Sequence, residues 1–166
     1  MTLKLKRIYP NALSDSKVLK FREEIDGENI YDVSINGNKQ GIYVEETDDY
    51  ISADLSFLKA GTGAGGKVYD ELFEVSSKAG KKFKTDSLEG HNIYRFYINV
   101  MKRKLQGKDV SHIMKPSSDE TISDSFLSSR AKTILSEHSS GEKVRGDSMK
   151  LSKGNIQMLK HFAKQD

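Results

Sequence analysis

Four glycines crowd into six positions at Gly61, Gly63, Gly65 and Gly66, and the pattern of the chain changes period across them. Before the cluster, Ile51, Ala53, Leu55 and Phe57 alternate with Ser52, Asp54 and Ser56, the signature of a strand with one buried face. After it, Val68, Leu72, Val75 and Ala79 recur on one face of a helix over about 67–79, and Gly80 closes that helix as a left-handed cap. Glycine costs backbone entropy, so a cluster at a strand-to-helix junction needs a reason. A loop whose N–H groups converge on a phosphate at the positive end of a helix supplies one.

The elements on either side fit a meander leading into this loop. Tyr31, Val33 and Ile35 alternate with polar residues, Asn36-Gly37 marks a tight hairpin, and Gly41-Ile42-Tyr43-Val44 is the return strand. Glu45, Glu46, Asp48 and Asp49 read as a solvated acidic turn before the strand 50–58. Upstream, Leu13, Lys17, Val18, Phe21 and Ile25 have partial helical spacing, with Ser14 or Asp15 as cap, which predicts a helix over 13–25. Downstream, residues 81–86 form a short strand, and Ile93, Phe96, Tyr97, Val100 and Met101 mark a second amphipathic helix ending near Gly107.

From Pro116 the chain becomes rich in Ser, Asp, Glu and Lys. Phe126, Leu127, Ala131, Ile134 and Leu135 mark one helix there, and Ile156, Leu159 and Phe162 mark another between Ser152 and Lys164. The division expected is a domain over 1–115 and a polar linker with helical extension over 116–166, whose helices pack on the main domain or on a partner. The length of 166 residues suits one real core.

Composition excludes several classes. There is no cysteine, hence no disulfide, thiolate metal site or cysteine nucleophile. No apolar run spans a bilayer, and Met1 to Arg7 is followed by no apolar signal core, so the expected setting is cytoplasmic, without membrane partners. The net charge of +3 is mild, and the cluster Lys102, Arg103, Lys104, Lys108 reads first as a solvated helix end favoured by the helix dipole. His91 and His112 have no second ligand at metal spacing.

Two other phosphate-binding patterns are rivals, the first a lesser alternative and the second absent. Gly61-x-Gly63-x-x-Gly66 matches the dinucleotide fingerprint, with Asp86 at the expected distance. A dinucleotide fold opens on a parallel strand buried on both faces, and needs more βα units than follow here. The phosphate-loop NTPase pattern lacks its Gly-Lys-Ser/Thr.

The meander, glycine loop, helix, strand and second helix, over roughly 13–107, resemble the core of the GNAT (Gcn5-related) N-acetyltransferases. The resemblance implies an α+β fold with a mixed, mostly antiparallel sheet flanked by helices. It implies acetyl-CoA as acyl donor and transfer of the acetyl group to an amine, on a chain that is a monomer or dimer. The family's loop reads Gln/Arg-x-x-Gly-x-Gly/Ala. Gly63-Ala64-Gly65 matches it, while Ala60 stands where Gln or Arg belongs, leaving Lys59 or Lys67 to supply charge.

By the same resemblance, the N–H groups of Gly61, Gly63, Ala64, Gly65, Gly66 and Lys67 hold the coenzyme pyrophosphate. The backbone at Phe57 and Leu58 pairs with the pantetheine arm, with Asn92 in the coenzyme contact set. Asp54 is the candidate base, Glu45 a lesser one, and Tyr97 the candidate acid, with Tyr94 one turn earlier. The run Thr85-Asp86-Ser87, Tyr94-Arg95, Met101, Leu105-x-Gly107, His112, Pro116 is similar to GNAT-like domains of phage and mobile-element polyvalent proteins. That implies a phage product in a bacterial cytoplasm, with a host protein or a nucleic acid as a further partner. A GNAT-fold protein that binds or inhibits a host partner without turnover is the alternative.

Overall fold

A computed structural model describes residues 12–14, 16–35, 38–55, 64–85, 91–139 and 151–165. Its elements follow in chain order. Four strands come first: β1 (Leu19–Ile25), β2 (Glu28–Ile35), β3 (Asn38–Glu46) and β4 (Tyr50–Asp54). Helix α1 (Ala64–Ala79), strand β5 (Lys82–Thr85) and helix α2 (His91–Leu105) come next, then α3 (Asp124–Ser139) and α4 (Lys153–Ala163). The five strands form one sheet in the order β1-β2-β3-β4-β5. The first three pairings are antiparallel, and β5 runs parallel to β4 after the α1 crossover. The chain is therefore an α+β protein with a mixed, mostly antiparallel sheet.

Alternation decides which face is buried. Tyr31, Val33, Ile42, Val44, Ile51, Ala53 and Phe83 point to one side and are almost wholly inaccessible. In the register Ile51 stands beside Phe83, and Ala53 beside both Val44 and Thr85. Helices α1 and α2 cover this face: the rings of Phe73 and Phe96 lie 5.2 Å and 6.4 Å from that of Phe83. Of the predicted α1 stripe, Val68 and Leu72 are buried, Val75 is partly buried and Ala79 is exposed, while Ile93, Phe96, Tyr97, Val100 and Met101 on α2 are all buried. Gly80 has φ of 70° and Gly107 of 74°, left-handed ends for both helices.

Helices α3 and α4 pack on each other and on α2, building a further layer. Leu127, Ala131, Ile134, Met158, Leu159 and Phe162 join the same buried cluster as the sheet. Ser152 caps α4, accepting the Asn155 N–H at 3.1 Å. The segment before α3 is tied to the sheet edge: the N–H of Phe83 donates to the carbonyl of His112 at 2.9 Å, and that of Met114 to the carbonyl of Phe83 at 3.0 Å. None of the described helices is long and apolar enough to cross a membrane.

One element differs from expectation. The stretch predicted as a helix over 13–25 is a turn followed by the edge strand β1. Asp26 and Gly27, with φ of 51° and 83°, make a two-residue hairpin, and Ile25 pairs with Glu28. Phe21 and Ile25 of the predicted stripe are 59% and 45% exposed, although Leu13 is buried and the Phe21 ring lies edge-on 5.7 Å from that of Tyr31, so the set does not share one buried helix face. The Asn36-Gly37 turn lies outside the described residues, although its flanks Ile35 and Asn38 are paired.

Two charged groups read as solvated are buried instead. Lys81 Nζ bonds Glu46 Oε2 at 2.6 Å, the side chains being 3% and 12% exposed, and Glu46 also accepts the Ala12 N–H at 3.0 Å. Arg103 is buried, donating to Asp109 O at 2.7 Å and Glu74 Oε1 at 3.1 Å. Its neighbour Lys104 pairs with Asp124, and Lys102 and Lys108 are exposed.

Candidate functional site

The parallel pair β4 and β5 gives the sheet one place where two strands end side by side, at Asp54 and Thr85. In sheets with parallel strands, ligands settle outside such carboxyl ends, where the chain diverges and helices begin. Here α1 begins at Ala64 and α2 at His91, directly after the two connections. The first four N–H groups of each helix have no partner within it and carry the positive end of its dipole.

A polar group sits at these strand ends. Tyr69, in the second turn of α1, is wholly buried, and its side chain is hydrogen-bonded to that of Thr85. Burial drives the phenol pKa well above its usual value, the bond to Thr85 opposing it, so the hydroxyl stays protonated. Two charges reach Tyr69 with opposite effect, those of Arg95 and Asp54. Arg95, in the second turn of α2, is partly buried, and desolvation lowers its guanidinium pKa. It forms no ion pair among the described residues. One turn on, Asn99 Nδ2 donates to Arg95 O at 2.8 Å. The Asn99 Oδ1 would lie 3.5 Å from a Cβ on Gly66, so α2 lies against the first turn of α1.

The residues anticipated from sequence are dispersed over the fold. Asp54 ends β4, partly buried, opposite Tyr43. Ala64, Gly65, Gly66 and Lys67 form the first turn of α1, with Lys67 exposed. Asn92 and His91 open α2. Phe57, Leu58, Gly61 and Gly63 lie outside the described residues, as do Lys59, Ala60 and Asp86. Tyr97 is 5% exposed, its ring packed with Tyr94, Phe96 and, at 5.7 Å edge-on, Phe126 of α3. Tyr94 donates its hydroxyl to Glu137 of α3 at 2.9 Å. Glu45 is exposed and accepts the Tyr50 hydroxyl at 2.9 Å.

His112 is structural. Its Nε2 lies 3.0 Å from Phe73 O, and a carbonyl only accepts, so Nε2 carries the proton. Nδ1 is buried with no hydrogen-bond partner, 3.6 Å from the Asp109 carboxylate. Burial lowers the imidazole pKa. Among the described residues no group of three or more acidic or histidine side chains could hold a metal.

Sequence reasoning gave no role to Tyr69, Thr85 or Arg95. Arg95 falls between buried positions of the α2 stripe, and Tyr69 falls beside the α1 stripe, so periodicity alone marks neither. A depression of about 450 Å³ beside Asp48, Tyr50, Lys82 and Met114 lies at the opposite, amino-terminal ends of β4 and β5. Of its lining, Lys84 lies 3.5 Å from Asp119 and 4.5 Å above the Tyr50 ring.

The fold and site define an α+β protein with a polar group at the carboxyl ends of one parallel strand pair. Comparison with family models, curated proteins and solved structures returned no match.

Proposed function

We propose that the protein binds acetyl-CoA at the carboxyl ends of β4 and β5 and transfers its acetyl group to an amine. The observation that carries this reading is the order of elements: an antiparallel meander, a glycine-rich connection, α1, a strand parallel to the last of the meander, and α2. That order is the one the GNAT resemblance calls for. Arg95 adds a cation without an ion pair among the described residues, its charge reaching Tyr69 in the second turn of α1. It offers the charge that Ala60 does not.

In the transfer, the amine nitrogen attacks the thioester carbonyl carbon and the carbon–sulfur bond breaks. The Asp54 carboxylate takes the amine proton, directly or through water. Backbone N–H groups after β4 hold the carbonyl oxygen as it gains charge. The resemblance gives the proton for the leaving thiolate to Tyr97. The geometry offers Tyr69 as well, because its side chain meets Thr85 at the strand end. A phage origin, with a host macromolecule bearing the amine, belongs to the same proposal.

A binding protein of this fold without turnover is the second reading. The packing of Tyr97 among aromatic rings favours it.

Thermal unfolding with acetyl-CoA, free CoA and NAD tests the proposal. A ligand at a hundred times its dissociation constant adds roughly 2.7 kcal/mol of stability. A higher midpoint with either coenzyme A species and none with NAD is expected, and Arg95→Gln should weaken it. No rise with either would end the acetyl-CoA reading. Binding without turnover, unchanged by Asp54→Asn, would favour the second reading.

A further inference from the structure

Helix α4 turns two different faces to its surroundings. Met158, Leu159 and Phe162 are buried against the rest of the protein. On the outside, Lys153, Gln157, Lys160 and Lys164 are all exposed. Spacings of four, seven and eleven residues from Lys153 put these four side chains in one row along the helix. At 1.5 Å per residue the row is about 17 Å long. His161 stands exposed beside it.

Among the described residues the row lacks compensation. No Asp or Glu occurs in residues 151–165, and Lys153, Lys160 and Lys164 form no ion pair among the described residues. The neighbouring helix α3 has two carboxylates, both engaged elsewhere: Asp124 pairs with Lys104 at 2.8 Å, and Glu137 accepts the Tyr94 hydroxyl. The helix dipole accounts for Lys160 and Lys164 near the C-terminus but not for Lys153, which opens the helix where its positive end already lies.

We infer that this face of α4 docks on the phosphate backbone of a nucleic-acid duplex, independently of sequence. The side chains argue for that occupant. Lysines are point charges that meet phosphates well, and they are depleted from protein–protein interfaces, where aromatic residues and arginine are enriched. The apolar side of α4 is already buried, so it has nothing to insert into a bilayer. The only aromatic residue of α4 in the Phe, Tyr and Trp set is Phe162, which is buried, so a stacking platform for single strands is missing from this helix. The inference does not depend on coenzyme binding.

The test is fluorescence anisotropy of a labelled 20-base-pair DNA duplex with the full chain, titrated over salt. Three phosphate contacts give a slope of log K against log salt of about −2.7, or roughly a 40-fold loss of affinity from 50 to 200 mM. Each Lys→Gln change at 153, 160 or 164 should reduce that slope by about 0.9. The triple variant should lose binding while its melting midpoint and acetyl-CoA response stay unchanged. Lys102→Gln with Lys108→Gln is the control, and should leave binding intact. Absence of duplex binding at low salt overturns the inference. So does binding that survives the triple variant, or that only the control removes. Binding of anionic vesicles or polyglutamate by the row, with no binding of duplex, overturns it as well.

Discussion

At the scale of single residues, the structure rests on charges placed where water is scarce. Lys81 is the clearest case, its buried ammonium lying 2.6 Å from the Glu46 carboxylate. Breaking a buried ion pair is strongly destabilising, so Glu46→Ala should cost about 3 to 5 kcal/mol in urea denaturation. A loss under about 1 kcal/mol would mean that water reaches Lys81. His112 makes a prediction about pH. Its folded pKa lies below the usual value of about 6.5, so the unfolded chain takes up the proton first. The stability from the neutral imidazole is complete above that pH and is lost as pH falls through the folded pKa. A His112→Gln variant should show a flatter decline as pH falls below about 6.5. The acidic arm is separate: Glu74, held below its usual range by Arg103, acts only below about pH 4.5. None of these pairings was legible in the sequence. Glu46 and Lys81 are far apart along the chain, and charge there reads as exposure until the fold brings the two together.

At the scale of elements, legibility followed pattern strength. The strands from Tyr31 to Leu55 and helices α1 and α2 repeat their periods well enough to assign the faces that meet, although Ile30 and Ser52 on the other sheet face are also buried and Ala79 at the end of the α1 stripe is exposed. Strand β1 is different, because Val18, Phe21 and Ile25 satisfy a helical spacing by accident. The sequence did contain the deciding signal in Asp26-Gly27, a dipeptide suited to a two-residue hairpin. Gly27 has φ of 83°, and nothing lies within 4 Å of where its Cβ would be. A side chain there meets only backbone strain. Gly27→Val should therefore lower stability by about 1 to 2 kcal/mol, the usual scale of a left-handed L-residue. Thermal melting checks this, and an unchanged midpoint would show that the hairpin contributes little. Of the candidate site, Asp54 was readable from alternation, whereas α1 begins at Ala64, ahead of the expected 67, and takes Gly65 and Gly66 from the predicted loop into its first turn. Tyr69, Thr85 and Arg95 meet only when β5 is laid beside β4, and no local pattern encodes that pairing.

At the scale of the whole molecule, the helices beyond Pro116 do not form an appendage. Helices α3 and α4 bury their apolar faces with α2, in the same cluster as the sheet. The segment ahead of α3 bonds to Phe83 in β5. A chain cut after residue 115 would leave the Tyr97 and Ile98 region of α2 uncovered. Such a truncation should melt at least roughly 10 °C lower or aggregate, whereas a merely tethered tail would leave the midpoint alone. Calorimetry of the whole chain should show one transition for the same reason.

The two margins of the sheet are unequal. Along β5 the backbone of Phe83 is already taken by residues 112–114, whereas β1 has no strand on its outer side among the described residues. Strand addition needs an open margin on each unit that is to be extended. Among the described residues β1 is, in the language of polymer chemistry, an unreacted end, and two copies joined along it would each have spent it.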